Sequence, residues 1–138
     1  MRTLCLDVGE KKIGIAMSDP TGIIAQGLKL YRRDVLRKDL AELKKIIEDY
    51  EVNEIVIGLP RDLSGEVGKK AREITAFSDE VKKYFTLPVV LWDERFSTNE
   101  AHRIFEMANV SHKKRRPFFD VMASQLILQG YLDARKTA

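Results

Sequence analysis

Residues Glu54 to Pro60 read EIVIGLP, an almost unbroken apolar run bounded by polar segments. A run of this length suits a strand, and a strand with no polar alternation is covered on both faces. It therefore calls for a sheet with helices above and below. The flanking segments meet that demand. Upstream, Leu36, Leu40, Leu43, Ile47 and Tyr50 share one helical stripe, with Asp34 as the expected N-cap. Downstream, Ala71, Ile74, Phe77 and Val81 recur at helical spacing and point to a second core-facing helix.

The first 31 residues read differently. From Thr3 to Gly9, Leu4, Leu6 and Val8 alternate with Cys5 and Asp7; Ile13 to Ser18 alternates again after a turn over residues 9–12. DPTG at Asp19 to Gly22 carries turn chemistry, and a third strand is expected from about Ile23 to Tyr31. LPVVLWDE supplies a fifth strand ending in Asp93 and Glu94. Ser97 and Glu100 form a capping-box pattern for a third helix. A basic loop then leads to a last helix from about Pro117 to Ala134, proline suiting its first turn. The order β-β-β-α-β-α-β-α-α makes one α/β domain over residues 1–138. Its expected architecture is a mixed five-stranded sheet: an antiparallel meander of three strands, then βα units with helices on both faces.

No apolar run is long enough to cross a bilayer, and a partnership with membrane is not expected. The chain enters a strand pattern directly, so no signal peptide is expected. Its single cysteine, Cys5, forms no intramolecular disulfide, and the cytoplasm is the simplest compartment. Net charge is only +3, but cations cluster: HKKRRP at His112 to Pro117, Lys11 and Lys12, Arg32 and Arg33, Lys69 and Lys70. Such clusters neutralise phosphates, which points to nucleic acid; the plainer alternative is a solvated surface.

Asp7 is out of place in a buried strand, where an unpaired carboxylate costs several kcal/mol or more. Glu94 lies at the carboxyl end of the fifth strand, where open α/β sheets bind ligands. Asp120 shares the inward stripe of Ala123, Ser124 and Ile127 on the last helix. Three acids meeting at one rim would repel unless a cation lay among them, and an oxygen-only set suits Mg²⁺ or Mn²⁺. Two such ions held about 4 Å apart can drive phosphodiester hydrolysis. Each acid also has a structural reading. Asp7 could pair with Lys11 or Lys12, Glu94 with Arg95, and Asp120 could complement a helix dipole. Asp93 faces away from Glu94. Gly65 and Gly68 read as turn residues, since no Gly-Lys-Ser/Thr follows to make a P-loop.

LDVGEKKIGIAMSD, IVIGLPRDLSGEVG, DERFST and KKRRPFFDVMASQLILQGYLD, in this order over nearly the whole chain, resemble the YqgF (RuvX) family of RNase H-like nucleases. The resemblance implies a RuvC-type RNase H-like fold, with Asp7, Glu94 and Asp120 as the catalytic, metal-binding triad for Mg²⁺ or Mn²⁺. It implies a cytoplasmic bacterial endonuclease that matures the 5′ end of precursor 16S rRNA, working with ribosomal particles as a monomer or weak homodimer. An older family assignment is Holliday junction resolution, with branched DNA as substrate. Lys11, Lys12, Arg95, Lys113, Lys114, Arg115 and Arg116 are the expected nucleic-acid contacts. Two positions depart from the family pattern. Glu10 stands where threonine is usual, exchanging a hydroxyl for a charge beside the expected metals, and Cys5 replaces a common glycine. Two rival classes are a phosphotransferase of the actin-like kind, which needs a second such domain, and a noncatalytic RNA-binding module.

Overall fold

The computed structural model describes residues 1–60, 65–93 and 112–136, without the side chains of 65–67, 112–119 and 136. Five strands form one sheet: β1 (Thr3–Val8), β2 (Lys12–Ser18), β3 (Ala25–Arg32), β4 (Glu54–Leu59) and β5 (Val89–Asp93). Their order is β3-β2-β1-β4-β5, antiparallel across β1, β2 and β3 and parallel from β1 through β4 to β5. The described helices are α1 (Leu36–Tyr50), α2 (Gly65–Tyr84) and α3 (His112–Lys136). This is the mixed sheet expected from the sequence. The capping-box helix around Ser97 lies outside the described residues.

Strand alternation sorts the core into two layers. Leu4, Leu6, Ile13, Ile15, Ile55 and Ile57 face one way, onto Leu40, Leu43 and Ile46 of α1 and Ile74, Phe77 and Val81 of α2. Cys5, Ala16, Ala25 and Val56 face the other way, onto Ile127, Leu128 and Leu132 of α3. In β4, Ile55, Val56 and Ile57 are wholly buried, each burial contributing about 1.5–3 kcal/mol. The continuous apolar run therefore marks the strand with helices on both sides.

The α3 face of the sheet is shallow. A Cβ on Gly14 would lie 2.3 Å from the carbonyl oxygen of Asp120, and one on Gly27 would lie 2.6 Å from Val121 Cγ1. The glycines let α3 approach the sheet more closely than any side chain at those positions permits.

Four local expectations are corrected. Leu36 and Tyr50 are exposed, and the buried stripe of α1 is Asp39, Leu40, Leu43 and Ile46. Asp34 does not cap α1: Val35 holds the N-cap position without a side-chain bond, and Asp39 instead accepts from the Asp34 N–H at 2.8 Å. A buried carboxylate with three donors around it outcompetes an exposed cap; Asp39 also takes Tyr31 Oη at 2.9 Å and Arg33 Nε at 3.4 Å. β3 begins at Ala25, because the Asp19 carboxylate accepts the N–H groups of Ile23 and Ile24 and bends them out of the ladder. Finally, α2 and α3 start earlier than expected. Gly65 and Gly68 lie inside α2, where buried Gly68 extends the Ala71–Ile74 stripe by one turn. Lys113 to Arg116 lie in the opening turns of α3 and not in a loop, since lysine and arginine are good helix formers upstream of Pro117.

Gly14→Ala should destabilise the protein by about 1–3 kcal/mol, the usual cost of overpacking, because the added methyl meets backbone that cannot rotate away. Denaturant unfolding measures this, and unchanged stability would contradict the close approach. A second test uses pH. Burial, then the hydrogen bond to Asp39, pushes the Tyr31 hydroxyl from 10.0 up to about 12. A group whose folded pKa is raised contributes stability below its unfolded value and loses it as pH climbs to the folded one. Wild type should therefore lose stability relative to Tyr31→Phe between pH 10 and 12, in paired unfolding curves.

Candidate active site

Asp7 sits next to last in β1, on the same face as Cys5, and is half-buried. Its cross-strand partner in β2 is Gly14, which pairs in turn with Leu30 of β3. Because Gly14 has no side chain, the backbone of Asp120 rests directly against it. Asp120 is half-buried, and its stripe neighbours Ala123, Ser124 and Ile127 are buried against the sheet. Asp7 and Asp120 thus line one cleft of about 230 Å³, together with Glu10, Lys11, Lys12 and Lys70. Two of the three expected carboxylates meet, along with both expected lysines of the first turn.

The other expected site residues stand apart from this description. Glu94 and Arg95 lie outside the described residues. Lys113, Lys114, Arg115 and Arg116 occupy backbone positions at the start of α3, with Asp120 four residues beyond them. Asp93 falls on the parity of Val89 and Leu91, the α1/α2 face, opposite to Cys5 and Asp7. Among the described residues no group of three His, Cys, Asp or Glu side chains is close enough to hold a metal ion.

The turn between β1 and β2 is fastened at three of its carbonyls. The Gly9 N–H donates to the Lys12 oxygen at 2.8 Å, and the Arg33 N–H to the Lys11 oxygen at 2.8 Å. Arg33 Nη1 donates to the Gly9 oxygen at 2.9 Å. The guanidinium also lies 5.0 Å from the centre of the Phe77 ring and pairs with buried Asp39. These contacts fix the backbone immediately after Asp7 while leaving Glu10 and Lys11 exposed. A buried carboxylate such as Asp39 is stable only with such partners.

The sequence does not reveal the roles of four contributors. Gly14 fits the alternating strand like any other residue, although a glycine inside a strand is a signal of close backbone approach. Lys70 belongs to a basic pair with no visible link in the sequence to Asp7, 63 residues away in the chain. Arg33 stands out in the sequence only as one of a basic pair, and Asp39 not at all, because their pairing depends on how α1 lands on the sheet.

A family model described as RuvX, Holliday junction resolvase, matches residues 1–134. A relative from Desulforamulus reducens is 46% identical over 134 residues, covering 97% of this chain and 98% of its own. One from Geobacillus kaustophilus is 46% identical over 138 residues, covering 99% and 100%. Both bear the provisional name of a pre-16S rRNA nuclease. Among solved structures, RuvC from Thermus thermophilus in complex with a Holliday junction substrate superposes with a TM-score of 0.63. It is 12% identical, covering 99% of this chain and 96% of that one. The fowlpox virus Holliday junction resolvase gives 0.58 at 12% identity, covering 97% and 99%. At such low identity these likenesses concern the fold, which is the RuvC-type RNase H-like one anticipated above. By the family model and by its full-length relatives, the chain belongs to the RuvX family.

Proposed function

We propose that this chain, a single domain over residues 1–138, is a Mg²⁺- or Mn²⁺-dependent endonuclease that hydrolyses phosphodiester bonds in the cytoplasm. Its substrate in this reading is precursor 16S rRNA at the 5′ end, met on ribosomal particles. The observation that carries it is the meeting of Asp7 and Asp120 in one cleft ringed by Lys11, Lys12 and Lys70.

The donor set fits the ion. Two carboxylates from β1 and α3 offer hard oxygen ligands, and the described residues lining the cleft include no thiolate or imidazole that would favour a softer metal. Glu94 completes the triad in this proposal. When bound, the ions supply a nucleophilic water and neutralise charge on the leaving oxygen. The protein's own residues do the rest. Asp7 and Asp120 would hold the ions, with the helix that carries Asp120 seated by its close approach to Gly14. Lys11, Lys12 and Lys70 attract and orient the phosphate as point charges. Arg95 and Lys113 to Arg116 are the further substrate contacts in this proposal. Arg33 keeps the turn, and so the lysines, in place.

A second reading, cleavage of four-way DNA junctions, is favoured by the description of the family model that matches this chain. It uses the same carboxylates and differs only in what the basic surface accepts.

Asp7→Asn should lower cleavage of precursor rRNA at least about a hundredfold, the scale of losing several kcal/mol of charge stabilisation. Its thermal unfolding without metal should stay close to that of wild type, because asparagine keeps the shape of the half-buried side chain. Mn²⁺ should raise the melting temperature of wild type and not that of the variant, since only the intact site binds the ion. Cleavage that persists in both Asp7→Asn and excess chelator would defeat the proposal. Assaying wild type on precursor rRNA and on a four-way DNA junction decides between the readings: the faster substrate, tracked to Asp7, is the relevant one.

A further inference from the structure

The turn that carries Lys11 and Lys12 has a second side. Between it and α2 runs an open groove of about 400 Å³, floored by Val8 and Ile74 and lined by Arg33, Lys69 and Lys70. Gly9, Glu10 and Lys70 line both this groove and the carboxylate cleft, so the two are continuous past the turn. Arg33 is held rigid there by the Gly9 carbonyl, Asp39 and the Phe77 ring. Lys69 and Lys70 are exposed. Among the described residues, neither forms an ion pair with Glu10 or Glu73, the acids that share the groove.

We propose that this groove carries the nucleic-acid strand on one side of the scissile phosphate, with Arg33, Lys69 and Lys70 contacting its backbone. The assignment of the scissile position rests on the nuclease reading above; the groove as a strand-binding surface does not. Three cations along a concave path suit backbone tracking without base readout. Glu10 and Glu73 would repel a compact anion lodged in the groove. A strand, by contrast, spaces its phosphates apart and can pass the acids while meeting the cations.

The experiment is a salt titration of binding between the full chain and a labelled 16-nucleotide oligouridylate, read by fluorescence anisotropy in chelator so that no cleavage intervenes. Each lost phosphate contact to a single strand should reduce the slope of log K against log salt by about 0.7. Lys69→Gln/Lys70→Gln should therefore lower the slope by about 1.4 and weaken binding about 25-fold at 0.1 M salt. Lys69→Gln alone should account for about half the change in slope. The control is Lys44→Gln/Lys45→Gln on the exposed side of α1, which removes the same net charge outside the groove. Equal losses in both double variants, or none in the groove variant, would overturn the proposal. Failure of Asp7→Asn to affect cleavage would sink the nuclease reading and leave this binding result standing, so the two failures are distinguishable.

Discussion

The backbone of Asp120 lies against Gly14, closer than any Cβ would permit, and the position of α3 on the sheet follows from that contact. The two faces of the sheet are built to different depths. Leucine, isoleucine and valine side chains stand up toward α1 and α2, whereas Cys5, Gly14, Ala16, Ala25 and Gly27 leave the α3 face low. A helix seated on small residues comes nearer the strand backbones than one seated on large ones. Here the approach is nearest at the end of the sheet where β1 terminates. It puts a carboxylate from the last helix beside one from the first strand, two groups that would otherwise be separated by the thickness of a side-chain layer.

Bringing acids together is costly, and the surrounding structure divides the charges into two classes. Asp39 is fully buried and surrounded by donors: Tyr31 Oη, Arg33 Nε and the Asp34 N–H. Its role is to hold Arg33, which in turn holds the Gly9 carbonyl. Asp7 and Asp120 are only half-buried and open onto a cleft with three lysines. The first carboxylate is spent on rigidity, and the other two line the cleft beside the lysines. A fixed turn matters for that arrangement, because preorganised charge needs no rearrangement when the substrate arrives.

Much of this was legible in the chain. The alternation of Thr3–Gly9 correctly placed Leu4, Leu6 and Val8 opposite Cys5 and Asp7, and the unbroken EIVIGLP run marked the strand buried on both sides. The inward stripe of Asp120, Ala123, Ser124 and Ile127 was also readable, and Asp7 stood out because a strand core excludes acids. The misreadings share a cause. Leu36 and Tyr50 fit the periodicity of α1 as well as Ile46 does, and only docking against the sheet selects Asp39, Leu40, Leu43 and Ile46 as its buried side. Asp34 has the chemistry of a cap, but Asp39 competes for its backbone once it is buried. Lys113 to Arg116 looked like a loop because cations are common in loops, yet they are equally good helix formers.

The residue pattern alone determined the mixed sheet, the strand faces and the presence of acids where apolar residues belong, because these depend on periodicities of two and 3.6 and on the cost of burying charge. The tertiary structure decided that Asp7 meets Asp120, that Lys70 joins Lys11 and Lys12 around them, and that Arg33 clamps the turn. Those contacts join residues dozens of positions apart, and their distances are set by how deeply each helix settles into the sheet, which at Gly14 turns on the absence of a single carbon atom.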